Sequence, residues 1–277
     1  MKIVYFGSDV FLKAFQHLLF KHEILALYTY RKEEDYFCER NVVALARLHR
    51  IPVYYTRITE DRMSEYMDEA GCELFFVAEY SHKIPVPETS RFRGVNIHAS
   101  LLPSGRSYYP IECAMERGVE ETGVSIHKIT PKIDGGDILV QRRFPITPDE
   151  DSVDVYLKCA AAAHAMTREV MGDFWRYWNG AAPQTETLPY WKRPENGIMT
   201  LRHDMTIAEA KSVYRKYNKL TGVIVNGLFF NVNELATGLY KIGADDDDII
   251  FVRESKILYG VVDGHLRLCI SSDGREV

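Results

Sequence analysis

The feature that most constrains the fold is an alternation, over roughly the first hundred residues, of short apolar runs and segments with helical spacing. The apolar runs are Lys2–Phe6, Ile24–Tyr30, Pro52–Tyr55 and Leu74–Ala78. Helical spacing occurs between them, at Val10–Phe20, Val42–His49 and Arg62–Ala70. Leu74–Ala78 is apolar throughout, which is typical of a strand buried on both faces of a parallel sheet. The pattern predicts a doubly wound, Rossmann-like α/β domain.

Several common uses of such a domain are excluded by missing motifs. No G-x-G-x-x-G follows the first run, and Val124-Ser125 stands where a P-loop needs Lys followed by Ser or Thr. The five cysteines contain no C-x-x-C pair, so neither a disulfide framework nor a metal site is predicted. No apolar run reaches the roughly 18 residues of a membrane helix, and the first residues show neither the apolar stretch nor the small-residue cleavage site expected of a signal peptide. We expect a cytoplasmic protein without a membrane partner.

The composition changes at Gly180–Gly197, where three prolines lie among polar residues. This change is typical of a linker. It divides the chain into an α/β domain at residues 1–183, a linker at 184–200 and a C-terminal domain at 201–277.

The C-terminal domain carries turn signals characteristic of small β-structures. Thr206 and Glu209 form a capping box that opens a helix. Asn226-Gly227 and Asp263-Gly264 each lie between apolar runs and predict hairpins. Further strand candidates are Tyr240–Ile242 and Ile249–Val252. About five short strands in this space favour a small OB-like β-barrel.

The densest group of chemically active residues lies between Gly94 and Pro145. Asn96 and His98 are two residues apart on a predicted strand and therefore project from one face. Asp134 lies in the glycine-rich loop IDGGD. A carboxylate beside an imidazole fixes its tautomer and favours its protonated form, and an asparagine amide can donate to a developing oxyanion. The three residues together suit acyl transfer to an amine.

This segment resembles the formyltransferases that use N10-formyltetrahydrofolate. The resemblance consists of Asn96-x-His98, Ser-Leu-Leu-Pro at 100–103, Glu-Thr-Gly-Val at 121–124 and Asp134 in its loop, and YFGSDVF at the N-terminus is similar too. It implies that Asn96 binds the formyl oxygen, that His98 acts as a base or stabilises the intermediate, and that Asp134 orients His98 and helps relay the amine proton. Which of His98 and Asp134 takes the proton stays open.

The resemblance also implies where the folate lies. In the family, the loop after the fourth strand contacts the pterin. By position, Tyr80, His82 and Ile84 are the candidates here, together with Ile133 and Asp137 at the two ends of the IDGGD loop. His82 departs from the small or aromatic residues expected at its position.

Three features bear on the amine that accepts the formyl group. The tRNA enzymes of the family carry a long basic insertion where this chain has the short, nearly neutral Arg31–Arg40. They usually show Arg-Gly-Ala-Ala-Pro where this chain has Ser-Gly-Arg-Ser-Tyr-Tyr-Pro at 104–110. The glycinamide ribonucleotide enzymes lack the C-terminal domain. These features favour a nucleotide-linked amino-deoxy sugar, such as a 4-amino-4,6-dideoxy hexose.

The candidate contacts to this acceptor are Ser104, Arg106, Tyr108 and Tyr109. Arg106 suits a phosphate, and the tyrosines suit packing on a sugar or base.

Three alternatives remain at this point. They are a methionyl-tRNA formyltransferase, a non-catalytic folate or sugar-nucleotide binding module, and a barrel that binds single-stranded nucleic acid through Phe229, Phe230 and Lys241. The net charge of −5 and the lack of a Lys/Arg block do not favour nucleic acid. We interpret the barrel as a scaffold or a homodimer element.

Overall fold

A computed structural model describes residues 1–31, 40–80, 82–186, 188–192, 199–225, 228–238, 249–253, 256–270 and 275–276. The chain divides into two compact units. The first unit comprises Met1–Ala114, Gly118–Thr147 and Val155–Lys192. The second unit comprises Met115–Arg117, Pro148–Asp154 and Arg193–Val277. Lys192, the last residue of the first unit, lies in the predicted linker.

The first unit is built on a seven-stranded sheet. Its strands are β1 (Lys2–Gly7), β2 (Glu23–Tyr28), β3 (Val53–Tyr54), β4 (Leu74–Ala78), β5 (Gly94–His98), β6 (Glu121–Lys128) and β7 (Ile138–Pro145). Their order is β3-β2-β1-β4-β5-β6-β7. The first five in this order are parallel, whereas β6 and β7 are antiparallel. The predicted Rossmann-like domain is confirmed, and β4 is buried along its whole length, as its sequence predicted.

The helices up to residue 179 are α1 (Leu12–Lys21), α2 (Asn41–Leu48), α3 (Glu60–Asp68), α4 (Pro110–Glu116), α5 (Ser152–Gly172) and α6 (Phe174–Asn179). Sequence periodicity predicts one helix from Val153 to about Trp178, and this is wrong. The helix breaks at Asp173, whose φ of −148° is not helical. Gly172 and Asp173 both rank low as helix formers, which explains the break. Among the described residues, no helix is long and apolar enough to cross a membrane.

The core of the first unit is rich in aromatic side chains. Phe6 on β1 stacks on Tyr28 of β2 with ring centroids 5.0 Å apart, and it also contacts Tyr80 at 5.4 Å. Met63 of α3 is completely buried against the same cluster. The loop that follows β4 is therefore anchored to the core through Tyr80, which fixes one wall of the site described below.

The described residues of the second unit form a sheet and one helix of at least two turns. Its strands are β8 (Thr200–Leu201), β9 (Gly222–Val225), β10 (Leu228–Gly238), β11 (Ile249–Arg253), β12 (Lys256–Val261), β13 (Gly264–Ile270) and β14 (Arg275–Glu276). Their order is β11-β12-β13-β10-β9-β8, with β14 paired to β10. The helix is α7 (Ile207–Tyr217), and the predicted capping box of Thr206 and Glu209 is present.

The strand pairing of the second unit matches both predicted hairpins, because β9 pairs with β10 and β12 with β13 in antiparallel register. The turn Asn226-Gly227 and the predicted strand Tyr240–Ile242 lie outside the described residues. Among the described strands no pairing joins β11 to β8. The OB-like barrel therefore stays a prediction.

Candidate active site

A cavity of about 260 Å³ lies at the carboxyl ends of β4 and β5 in the first unit. Val77 and Glu79 line it from the end of β4, and Asn96, Ile97 and His98 line it from β5. Ligands of open, doubly wound sheets bind at this edge. Asn96, His98 and Asp134, the three predicted catalytic residues, all line the cavity.

His98 is fixed through one ring nitrogen. The residue is only 7% exposed, and Nε2 lies 2.9 Å from the carbonyl oxygen of Gly105. A carbonyl can only accept, so Nε2 carries a hydrogen. Nδ1 lies 3.7 Å from Oδ1 of Asp134, which is an ion-pair separation rather than a hydrogen bond. Any proton that His98 exchanges with the cavity must therefore pass through Nδ1, beside Asp134.

Asp134 is held by the conformation of its loop. Its φ of +48° lies in the left-handed region, and its side chain is only 11% exposed. A Cβ on Gly136 would lie 2.0 Å from the carbonyl oxygen of Lys128, so only glycine allows the loop to approach β6 this closely. Gln184 donates to the carbonyl oxygens of Asp134 and Gly136, both at 2.8 Å. This tether was not predicted from the sequence.

A second histidine, His127 on β6, was also missed. It is directly opposite Asn96 in the β5–β6 register. Its Nε2 lies 3.2 Å from Nδ2 of Asn96 and 3.7 Å from Oδ1 of Asp134. Burial lowers the pKa of His127 to about 4, although the charge of Asp134 acts in the opposite direction. The ring is therefore neutral near pH 7. Its sequence position gave no signal because β6 itself was not predicted.

Four of the five predicted folate contacts line the cavity, namely Tyr80, His82, Ile84 and Ile133. Tyr80 stacks on Tyr30 at 5.5 Å, and the ring of His82 meets that of Tyr80 edge-on at 5.2 Å. Asp137 does not line the cavity. Its carboxylate pairs with Lys128 at 3.0 Å.

Of the four predicted acceptor contacts, only Tyr108 lines the cavity, and it is 53% exposed. Tyr109 contacts the Tyr108 ring at 4.7 Å, and Ser104 accepts a hydrogen bond from Ser100 through its carbonyl. Arg106 is buried and donates to the carbonyl of Leu188. The guanidinium group of Arg106 is buried against the Leu188 carbonyl. A phosphate contact would therefore require the loop of residues 104–110 to rearrange.

A further acidic residue, Glu79, lines the cavity and was not predicted from the sequence. Glu79 has a φ of +60°, and its Oε2 accepts a hydrogen bond of 2.7 Å from the hydroxyl of the buried Ser8. Tyr156 lines the cavity and donates to Oε1 of Glu112 at 3.1 Å. Burial, and to a smaller extent the charge of Glu79, raises the pKa of Glu112 to about 7.

Similar proteins belong to one chemical class. Residues 38–171 match the family model described as formyl transferase. A methionyl-tRNA formyltransferase of Acinetobacter baumannii is 33% identical over an alignment of 175 residues that covers 58% of this chain and 55% of the relative. The chain thus spans about half the length of the curated relatives it matches.

Two solved structures share the fold. HypX from Aquifex aeolicus, in complex with tetrahydrofolic acid, has a TM-score of 0.67 at 15% identity and covers 97% of this chain and 43% of its own. An N-formyltransferase from Helicobacter canadensis was solved in complex with folinic acid and dTDP-3-aminofucose. It has a TM-score of 0.61 at 18% identity, and the match covers 97% of this chain and 98% of the Helicobacter chain. The match of residues 38–171 to the formyl transferase family agrees with the family that the sequence motif predicted.

Proposed function

We propose that this protein transfers the formyl group of N10-formyltetrahydrofolate to the amine of a nucleotide-linked amino-deoxy sugar. The observation that carries the proposal is the meeting of Asn96, His98 and Asp134 in one cavity of a formyl transferase domain. These residues supply an amide donor, an imidazole and a carboxylate, the groups that acyl transfer to an amine needs.

The cavity wall fits a folate. Tyr80 and His82 offer aromatic surfaces and Ile84 and Ile133 offer aliphatic ones, which suits a flat conjugated ring. When bound, the formylated folate supplies the formyl group. The four side chains would hold its ring system, while the reacting carbon would lie towards Asn96.

The reaction forms a bond between the acceptor nitrogen and the formyl carbon and breaks the bond from that carbon to N10. The amine loses one proton and N10 gains one. Asn96 would donate to the formyl oxygen as negative charge develops there, and the proton would pass through His98 Nδ1 and Asp134. General acid–base help contributes roughly 10² to 10⁴ in rate. Holding both substrates together contributes as much as about 7–11 kcal/mol, so positioning is the larger effect.

The sugar acceptor is supported by the exposed aromatic rings at the cavity. Tyr108 and Tyr190 both line it and are 53% and 47% exposed, and such rings pack on sugars and bases. The Helicobacter enzyme, which is similar over nearly the whole of both chains, was crystallised with a nucleotide-linked amino sugar. The second candidate is methionyl-tRNA, which the 33% identical relatives favour. The short, nearly neutral segment Arg31–Arg40 disfavours tRNA on sequence grounds. Most of it lies outside the described residues, so this point stays a prediction.

An acceptor panel tests the proposal. The protein would be mixed with N10-formyltetrahydrofolate and, in separate reactions, with dTDP-3-aminofucose, nucleotide-linked 4-amino-4,6-dideoxy hexoses or methionyl-tRNA. Folate absorbance would report turnover, with a reaction lacking any acceptor as control. Turnover with a sugar is expected. Turnover with methionyl-tRNA alone would overturn the acceptor class, and folate binding without turnover on any acceptor would favour the binding module.

A further inference from the structure

We infer that His127 is a positioning residue for formyl transfer, because it holds the amide of Asn96 with an N–H, rather than the carbonyl oxygen, directed into the cavity. The inference rests on the proposed function, since it explains how Asn96 is prepared to bind the formyl oxygen.

The tautomer follows from the backbone. Nδ1 of His127 lies 2.8 Å from the carbonyl oxygen of Lys128. A carbonyl has no hydrogen to give, so Nδ1 must be the donor. In a neutral ring the other nitrogen, Nε2, then bears a lone pair and no hydrogen.

The ring stays neutral because it is buried. His127 is only 2% exposed, and the groups around it are the Asp134 carboxylate at 3.7 Å and the ring of His98, whose centroid is 6.3 Å away. Asp134 favours a charged imidazole and His98 opposes it, but desolvation is the largest influence on the pKa. Nε2 is therefore available only as an acceptor.

An acceptor at this position dictates which end of the Asn96 amide faces it. The amide nitrogen, Nδ2, lies 3.2 Å from Nε2 and can donate one of its two hydrogens there. The reversed amide would set its carbonyl oxygen against the lone pair of Nε2, which is repulsive. The second hydrogen on Nδ2 remains to donate to an oxyanion in the cavity that Asn96 lines. The β5–β6 register, in which Asn96 is opposite His127, maintains this distance.

A pair of substitutions tests this role. His127→Leu removes the acceptor, whereas His127→Gln keeps an acceptor oxygen on a side chain of similar reach. Loss of a partner that orients a metal ligand typically costs about 10- to 100-fold in activity, and we expect a similar cost for a partner that orients Asn96. The leucine variant should lose kcat by about this factor with little change in KM for folate or acceptor, and the glutamine variant should recover most of it. Equal kcat values for the leucine variant and the wild type would overturn the inference.

A double-mutant cycle separates positioning of Asn96 from other effects of His127. In an Asn96→Ala background there is no amide to orient, so adding His127→Leu should change single-turnover formyl transfer by less than about twofold. If His127→Leu lowers the rate as much in that background as in the wild type, His127 acts through another group, such as Asp134, and the inference is wrong. Thermal unfolding of each variant controls for loss of structure.

A readout independent of turnover distinguishes this inference from the proposed function. The side-chain amide of Asn96, identified in a ¹⁵N spectrum by its loss in Asn96→Ala, should show one slowly exchanging hydrogen in the wild type. Two rapidly exchanging hydrogens would overturn the inference even if the enzyme is active. An inactive wild type with a protected Asn96 amide would instead contradict the proposed function and leave the His127 contact established.

Discussion

The two units differ in what they bury. The side chains of His98, Arg106, Glu112 and His127 are each at most 7% exposed, and all four belong to the first unit. Among the described residues of the second unit no ionisable carboxylate, imidazole or basic group is buried to this extent, and the core there is mainly aliphatic. Burying an ionisable group is costly unless it is paired or neutral. The comparison predicts that substitutions at the buried ionisable groups lining the cavity of the first unit affect turnover, and that core substitutions in the second unit affect stability.

The largest expected effect comes from removing the imidazole of His98. His98→Ala should lower formyl transfer by about 10² to 10⁴, because it removes the group that exchanges a proton beside Asp134. Stability should change little, since His98 makes one described hydrogen bond, to the Gly105 carbonyl. Single-turnover rates, folate binding and thermal unfolding would be measured together.

The matched control for this change is His17→Ala. His17 lies on α1, outside the residues that line the cavity, and its ring meets that of His164 at 6.4 Å. This control should keep wild-type activity. A fully active His98→Ala would remove His98 from the mechanism and break the assignment of chemistry to the first unit.

A core substitution in the second unit should lower stability without lowering turnover, the opposite of the effect expected for His98→Ala. Leu268 on β13 is completely buried in the core of that unit. Leu268→Ala should reduce the free energy of unfolding by about 2–5 kcal/mol through lost burial and a cavity. The kcat measured well below the unfolding temperature should stay at the wild-type value. Val262→Ala, at a position 68% exposed, is the control and should change neither quantity. A fall in kcat for the folded Leu268 variant would show that the second unit contributes to turnover.

Two buried groups of the first unit give opposite dependences of stability on pH. The folded-state pKa of Glu112 is about 7, above its ordinary 4.5. Its contribution to the free energy of unfolding is therefore fully present below pH 4.5 and is lost as pH rises through 7. The folded-state pKa of His127 is about 4, below its ordinary 6.5. The contribution of His127 to the free energy of unfolding is therefore fully present above pH 6.5 and is lost as pH falls towards 4. Between pH 4.5 and 6.5 the two slopes nearly cancel.

Glu112→Gln should expose the histidine slope. The variant keeps an oxygen that can accept from the Tyr156 hydroxyl, but it no longer titrates. The titration of His127 should then raise the free energy of unfolding by about 3 kcal/mol between pH 4.5 and 6.5, at 1.4 kcal/mol per pH unit for one proton. His17, His22 and His164, whose pKa values burial also lowers, add to this rise. Denaturant unfolding at several pH values across this range measures the free energy of unfolding. Glu88→Gln, at an exposed site, is the control. A flat profile in the Glu112 variant would show that His127 is not buried and neutral as described.

The sequence predicted well what short-range patterns encode. Four of the five parallel strands, β1 to β4, correspond to short apolar runs, so their existence and the position of the cavity edge followed from local hydrophobicity. Asn96 and His98 could be placed on one face because strand side chains alternate. Asp134 was identified by the glycine-rich loop that lets its backbone approach β6.

What the sequence missed depends on contacts between distant segments. His127 faces Asn96 only because β6 pairs with β5 from 31 residues away. Gln184 reaches the Asp134 loop from 50 residues away. Arg106 looked like a phosphate ligand, yet the segment that includes Leu188 and Trp191 lies against it and accepts its hydrogen bond. No local pattern reports that a later segment will cover an arginine.

The smallest expected effect concerns the start of α7 in the second unit. The Thr206 hydroxyl accepts from the backbone N–H of Glu209 at 3.2 Å, and the Glu209 carboxylate accepts from the Thr206 N–H at 2.8 Å. Thr206→Ala should cost about 1 kcal/mol of stability, whereas Thr206→Ser keeps the hydroxyl and should cost much less. Denaturant unfolding measures both. Since α7 packs on an apolar core and lines no part of the cavity, kcat should not change. A loss of activity larger than the loss of stability would mean that the start of α7 influences the reaction, which would contradict the division between the two units.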